Sequence, residues 1–98
     1  MNQTVRRFPN PAEAAAACAG IIKERLLAAD REDRPFTLCL SDGHGWKAVY
    51  FLLTKEKGLP WRRAEFYWAD EAYVGREHKD SVYRAGRDLL FKPLGILD

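Results

Sequence analysis

A short polar segment, SDGHG at positions 41–45, places a hydroxyl, a carboxylate, an imidazole and two glycines within five residues. It follows the apolar run Phe36–Leu40 and precedes large apolar residues at helical spacing. Such a strand–turn–helix unit places a ligand-binding loop at the carboxyl end of a parallel strand. In this loop His44 could act as a general base on a water molecule, with Asp42 or Asp70 orienting the imidazole. The alternative is a loop histidine that only caps the start of the helix.

A second acidic group, Asp70 and Glu71, comes directly after another apolar run, Ala64–Trp68, and one alanine. Because the carboxyl ends of parallel strands meet at one edge of a sheet, we expect these carboxylates near the 41–45 turn. They could bind hydroxyl groups of a ligand, or they could hold the loop by accepting backbone N–H bonds. The sequence favours neither role over the other.

The elements that position these residues follow from apolar spacing and from helix start and stop signals. Asn10 and Pro11 suit the N-cap and the first position of a helix. In chain order the sequence predicts a strand at 4–8, a helix from 11 to about 29, a strand at 36–40, a helix stopped by Lys57-Gly58 and Pro60, a strand at 64–68, and a helix that Asp80 or Ser81 caps and Pro93 ends. This β-α-β-α-β-α order predicts an α/β fold, a three-layer Rossmann-like parallel sheet with right-handed crossovers. The very apolar strand at 36–40 is expected to be covered on both faces.

Length, charge and cysteine content restrict the class of protein. The 98 residues predict a single domain spanning 1–98, and the net charge of +2, from 16 basic and 14 acidic residues, argues against a nucleic-acid partner. Apolar runs stay far below the roughly 18 residues of a membrane span, so we expect no membrane partner. Cys18 and Cys39 fall in a predicted helix and a predicted strand, as buried thiols of a reducing compartment, which predicts the cytoplasm. With no CxxC pair, we expect no metal site.

A three-stranded sheet in so short a chain leaves two open edges and buries a limited core. We therefore expect either that another chain covers the sheet or that this chain is half of a larger fold. Between these alternatives we favour a homodimer.

Several segments, spread over nearly the whole chain, match one known family in order. They are the FPNPAEAAAA opening, the F-T-L-x-L-S strand and turn, G-L-P-W-R-R, F-Y-W-A-D-E-A-Y-V and D-S-V-Y-R. On these motifs the chain resembles the N-terminal half of the 6-phosphogluconolactonase family, relatives of the glucosamine-6-phosphate deaminases. The resemblance implies hydrolysis of 6-phosphogluconolactone to 6-phosphogluconate, a step of the pentose phosphate pathway that needs no metal or other cofactor.

The resemblance also assigns a ligand to the polar turn. The family's turn reads S-G-G-S-T-P, and backbone N–H groups at the helix start suit the anionic phosphate of a sugar. Ser41 and Gly43 match this pattern, whereas Asp42 brings a negative charge to the place of a glycine. The family's W-x-D-E-R motif has Ala72 here in place of the arginine associated with orienting the substrate and its phosphate. In the D-S-N-Y-R motif the arginine is kept as Arg84, which is the best remaining anion contact.

The family's catalytic histidine belongs to a D-G-H-x-A-S-L-F motif in the second half of its fold, past Asp98. The triplet Asp42-Gly43-His44 repeats its first three letters after the second predicted strand, either by coincidence or as a relocated acid–base group. The enzyme hypothesis assigns proton transfer to His44 and Asp70. It assigns phosphosugar binding to Ser41, Asp42, Gly43, Gly45, Glu71 and Arg84. The alternative hypothesis is a truncated relative without catalysis, which serves as a sugar-phosphate-binding or dimeric interaction module.

Overall fold

Two parallel strands and the helices around them make up the fold, and the computed structural model describes residues 3–96. In chain order the elements are helix α1 (Pro11–Arg31), strand β1 (Phe36–Leu40), helix α2 (His44–Lys55), a 3-10 turn (Trp61–Arg63), strand β2 (Ala64–Trp68), helix α3 (Val82–Gly86), a π-helical turn (Arg87–Phe91) and the short helix α4 (Lys92–Leu94). The predicted α/β class is confirmed, and so are the bounds of both strands. Within the described residues, no helix combines the length and the hydropathy needed to cross a membrane.

The strand predicted at residues 4–8 is wrong, because this segment has no regular structure. All of its residues are exposed, and Val5 shows 81% of its surface. A strand needs a neighbour that pairs with its backbone groups, and the described part of the sheet contains only β1 and β2. The segment is also weakly apolar, so its side chains gain little from burial.

Strand β1 pairs with β2 in parallel register, with Leu38 beside Phe66 and Leu40 beside Trp68. Both leucines are buried, whereas Cys39 between them is exposed. The prediction that β1 is covered on both faces, with Cys39 buried, is therefore wrong. Side chains alternate between the two faces of a strand, and the described helices cover only the face that carries the leucines.

The covered face of the sheet and the helices enclose one apolar core. Asn10 caps α1 as predicted, since its side chain accepts the backbone N–H of Glu13 at 2.9 Å. The core is formed by Ala15, Ala19, Ile22, Leu38, Leu40, Val49, Tyr50, Leu53, Leu90 and Phe91. These residues come from α1, β1, α2 and the last helical segment, which comprises α3, the π-helical turn and α4. The core therefore fixes the turn that joins β1 to α2.

The last helical segment begins and ends at capping residues. The Ser81 hydroxyl accepts the backbone N–H of Arg84 at 3.1 Å, which confirms Ser81 as the predicted cap. Pro93 does not end the segment as predicted, because it lies within α4, and Gly95 with a φ of 72° ends it instead. A π-helical turn precedes this proline. Such a turn widens the backbone ahead of the proline ring and so accommodates it.

Candidate active site at the carboxyl edge of the sheet

The carboxyl ends of β1 and β2 lie side by side and bring Ser41 and Asp70 together. The Ser41 hydroxyl donates a hydrogen bond to the Asp70 carboxylate at 3.2 Å. Next to it the backbone N–H of Ala69 donates to the carbonyl of Leu40 at 2.8 Å, which extends the ladder between the strands by one bond. The parallel arrangement therefore joins the polar turn to the second acidic segment, as the sequence suggested.

Tyr50 holds the polar turn against the core from below. Its side chain is fully buried, and its hydroxyl donates to the carbonyl of Ser41 at 2.6 Å. Burial and the nearby Asp42 carboxylate raise the pKa of Tyr50 to about 12, so the phenol remains a donor through neutral and moderately alkaline pH. Sequence reasoning missed this residue as a part of the site. The signal was its place on the core-facing side of α2, five residues after the polar segment.

A carboxylate of the chain itself, that of Asp42, lies just ahead of α2, although no side chain caps the helix. The Asp42 carboxylate accepts the backbone N–H of Gly43 at 2.7 Å. Gly43 has a φ of 120°, a conformation that favours glycine and explains why this position of the motif is kept. An anion that approaches this helix start would meet the charge of Asp42, which opposes binding there.

His44 is the first residue of α2, and its side chain is exposed to solvent. Among residues 3–96, no group hydrogen-bonds its imidazole; the carboxylates of Asp42 and Asp70 are bonded to Gly43 and Ser41 instead. Gly45 follows with open space around it. The imidazole is thus accessible to a ligand at the turn but is not oriented by either carboxylate.

Glu71 binds the start of α3. Its carboxylate accepts the backbone N–H groups of Val82 at 2.6 Å and Tyr83 at 3.1 Å. It also accepts the Ser81 hydroxyl at 2.8 Å and the Ala72 N–H at 2.9 Å. The bond from Val82, with those from Ser81 and Ala72, holds the pKa of Glu71 below its ordinary value. Both oxygens of the Glu71 carboxylate are used in these contacts. They match the alternative in which this carboxylate holds the loop by accepting backbone N–H bonds.

Arg84 projects from α3 beside the polar turn. Its guanidinium donates to the carbonyl of Glu77 at 3.0 Å, and its Nε lies 3.5 Å from the Asp88 carboxylate. The loop it contacts is also fixed by a forked ion pair between Glu77 and Arg87, in which Nη2 donates at 2.9 Å. This loop therefore has a defined position next to the turn. Within the described residues, no three His, Cys, Asp or Glu side chains group as a metal site.

Lys47 and Lys79 were missed by sequence reasoning. They line a cleft together with Asp42 and Arg84, so they belong to the same edge of the molecule as the polar turn. Lys47 follows His44 by three residues on α2, a spacing that puts both side chains on one face of a helix. That spacing could have identified Lys47. Lys79 lies in a loop, where no periodicity indicates its neighbours.

Comparison with known proteins places this arrangement in a family. Residues 9–98 match the family model of glucosamine-6-phosphate isomerases and 6-phosphogluconolactonases. The chain is 33% identical over 81 residues to a 6-phosphogluconolactonase of Nostoc sp., which covers 83% of this chain and 33% of that protein. It is 35% identical over 66 residues to a 6-phosphogluconolactonase of Synechocystis sp., which covers 67% of this chain and 27% of that protein.

A solved structure shows the same fold. The 6-phosphogluconolactonase from Trypanosoma cruzi superposes with a TM-score of 0.81 at 26% identity, over 94% of this chain and 36% of that one. This likeness confirms the Rossmann-like class. The chain spans about a third of the length of the curated relatives that it matches. Because the family model extends over nearly all of the sequence, the chain belongs to the glucosamine-6-phosphate isomerase/6-phosphogluconolactonase family.

Proposed function

We propose that this chain acts on a phosphosugar lactone as a 6-phosphogluconolactonase-like hydrolase of carbohydrate metabolism. The observation that carries the proposal is the Ser41–Asp70 contact at 3.2 Å, which joins the two family motifs at the carboxyl edge of the sheet. The matched relatives are themselves 6-phosphogluconolactonases by name, which favours the hydrolase over a non-catalytic binding module.

The reaction requires a base that activates water at the lactone carbonyl. His44 is the exposed imidazole at this edge, and we assign it the proton of the attacking water. The hydroxyl adds to the carbonyl carbon, and the ring C–O bond breaks from the tetrahedral intermediate. The proton held by the imidazole then passes to the leaving alkoxide, which gives a hydroxy acid. We assign Asp70 to the same proton transfer, because its carboxylate lies at this edge and accepts the Ser41 hydroxyl.

The two thiols of the described chain, Cys18 and Cys39, are free. Free thiols support a reducing compartment, and we propose the cytoplasm as the place of the reaction.

Replacement of His44 tests this assignment. We expect the purified chain to hydrolyse the lactone faster than buffer, and His44→Gln to lose about a hundredfold or more of that rate, the usual contribution of a general base. His78→Gln is the matched control, because His78 lies in the β2–α3 loop and accepts the backbone N–H of Asp80. The measurement is the rate of acid release at constant pH.

Two results would contradict these assignments separately. A wild-type rate equal to that of buffer would remove the hydrolase proposal. An accelerated rate that survives His44→Gln unchanged would remove His44 as the base and leave its triplet a coincidence.

A further inference from the structure

Three cationic side chains line a cleft beside the polar turn. The cleft has a volume of about 300 Å³ and lies between the first turn of α2 and the last helical segment. Its lining residues are Asp42, Lys47, Lys79, Arg84, Ala85, Asp88 and Leu89. The volume is at the lower end of those of small-molecule sites, so it suits a ligand the size of a phosphorylated sugar fragment.

Two of these cations have no partner. Lys47 and Lys79 are both exposed, and within residues 3–96 neither side-chain ammonium group forms a hydrogen bond or an ion pair. An ammonium group on a flexible stem is a compact charge with three donors, which can follow the oxygens of an anion. Arg84 adds a guanidinium, of which Nη1 already donates to the Glu77 carbonyl and Nε lies 3.5 Å from the Asp88 carboxylate.

The carboxylates of the cleft are engaged by other groups. Asp88 accepts Nε of Arg87 at 3.0 Å and lies 3.5 Å from Nζ of Lys92. The Arg87 hydrogen bond, with both neighbouring cations, holds the pKa of Asp88 below its ordinary value. These cations are not part of the cleft lining, so they offset the charge of Asp88 from outside it. Asp42 is the remaining acidic group.

The helix starts at this edge are poor sites for the anion. The start of α3 is bonded to the Glu71 carboxylate, which accepts the backbone N–H groups of Val82 and Tyr83. The start of α2 has no side-chain cap, but the exposed Asp42 carboxylate accepts the N–H of Gly43 just ahead of it and repels an anion there. The positive charge of the cleft comes from the side chains of Lys47, Lys79 and Arg84.

We propose that Lys47 and Lys79, together with Arg84, bind a phosphate group in this cleft. They take over the ionic contact that Ala72 cannot make. The phosphate is mostly dianionic above a pH of about 6, so two ammonium groups match its charge. This inference rests on the proposed function for the identity of the sugar. The charge of the cleft alone requires only a phosphate, free or carried by a sugar.

Titrations followed by amide chemical shifts test the cleft. The 98-residue chain is titrated with inorganic phosphate, with 6-phosphogluconate and with gluconate. We expect both phosphates, but not gluconate, to shift the amide signals of Lys47 and Lys79. The double variant Lys47→Gln with Lys79→Gln should bind phosphate about tenfold more weakly or worse, since hydrogen bonds to charged groups are the strong ones. Tighter binding of 6-phosphogluconate than of inorganic phosphate would identify the sugar phosphate as the ligand.

Lys57→Gln is the matched control. Lys57 is an exposed lysine past the opposite end of α2, and no group among residues 3–96 bonds it. This variant should bind phosphate as the wild type does. All substituted lysines are exposed, so unchanged circular dichroism is expected for every variant.

The outcomes separate this inference from the proposed function. The proposal that the cleft binds phosphate is overturned if the double variant binds phosphate with unchanged affinity. It is also overturned if millimolar phosphate shifts no amide signal of the wild type. Phosphate binding that depends on both lysines supports the cleft even if the wild-type chain hydrolyses no lactone, in which case only the proposed function fails.

Discussion

A single carboxylate, that of Glu71, ties the end of β2 to the start of α3. It accepts two backbone N–H groups of α3 and the hydroxyl of Ser81. The N–H groups at a helix start have no partner within the helix, and a carboxylate there also meets the positive end of the helix dipole. Glu71 thus serves as a structural anchor at a position where the family motif led us to expect a ligand contact.

Glu71→Gln should lower the melting temperature by a few degrees. An amide offers one accepting oxygen, and its NH₂ group would face a backbone N–H of α3, so at least one donor loses its partner. Thermal unfolding at neutral pH measures the change. Glu24→Gln is the control, because the Glu24 side chain is exposed on α1 and forms no hydrogen bond or ion pair within residues 3–96.

The same variant predicts a pH dependence. The folded chain lowers the pKa of Glu71 from its ordinary value of 4.5, so the ionised carboxylate stabilises the fold above that pH. This stabilisation is lost as the pH falls below 4.5 and through the lowered value. The difference in melting temperature between wild type and Glu71→Gln should therefore shrink in acid. A difference that stays constant down to the acid limit would contradict the anchor.

At the scale of elements, the sequence predicted a strand correctly where one local signal, a short apolar run between turn residues, was strong. The strands at 36–40 and 64–68 were predicted with their observed bounds, because turn residues flank short apolar runs. The strand at 4–8 failed because pairing is decided by a neighbour in space, which local composition does not report. The prediction that Cys39 is buried was wrong for a similar reason, because an apolar run does not indicate how many faces of the strand are covered.

In the candidate site, too, some features could be predicted from the sequence and others could not. That Ser41 and Asp70 share an edge follows from parallel topology and was predictable. The bond from Gly43 to Asp42, the anchoring by Glu71 and the cleft with Lys79 depend on loop conformation. Loops lack the periodicity from which spatial neighbours can be inferred.

The spacing between α3 and the sheet gives an element-scale prediction. Gly86 is buried in α3, and a methyl group added there would lie 3.5 Å from Leu40 and 3.7 Å from Trp68. These are ordinary contact distances. Because glycine costs a helix about 0.5–1 kcal/mol relative to alanine, Gly86→Ala should raise the free energy of unfolding by that amount. Urea denaturation measures it.

Gly20→Ala controls for helix propensity alone, since Gly20 lies on α1 with open space around it. Both variants should gain similarly. A loss in Gly86→Ala beside a gain in Gly20→Ala would mean that α3 needs a closer approach to the sheet than these distances allow.

At the scale of the whole molecule, residues 3–96 leave one face of the sheet uncovered. Cys39 and Tyr67 are partners in the register and point to this face, and Tyr67 shows 56% of its surface. Thr37 and Glu65 beside them are exposed as well. A parallel sheet is ordinarily covered on both faces, and each described strand has one unpaired edge. We propose that a second copy of the chain covers this face, as a two-fold symmetric homodimer.

Light scattering of the purified chain tests the dimer. We expect twice the chain mass, and we expect Tyr67→Lys to give the single mass, because burying an ammonium group in the contact costs its desolvation. Tyr73→Lys is the control, since Tyr73 is an exposed tyrosine in the loop after β2. It should remain dimeric. A wild-type mass that stays at one chain at every concentration would contradict the dimer, and an unaltered dimer in Tyr67→Lys would place the contact on another surface.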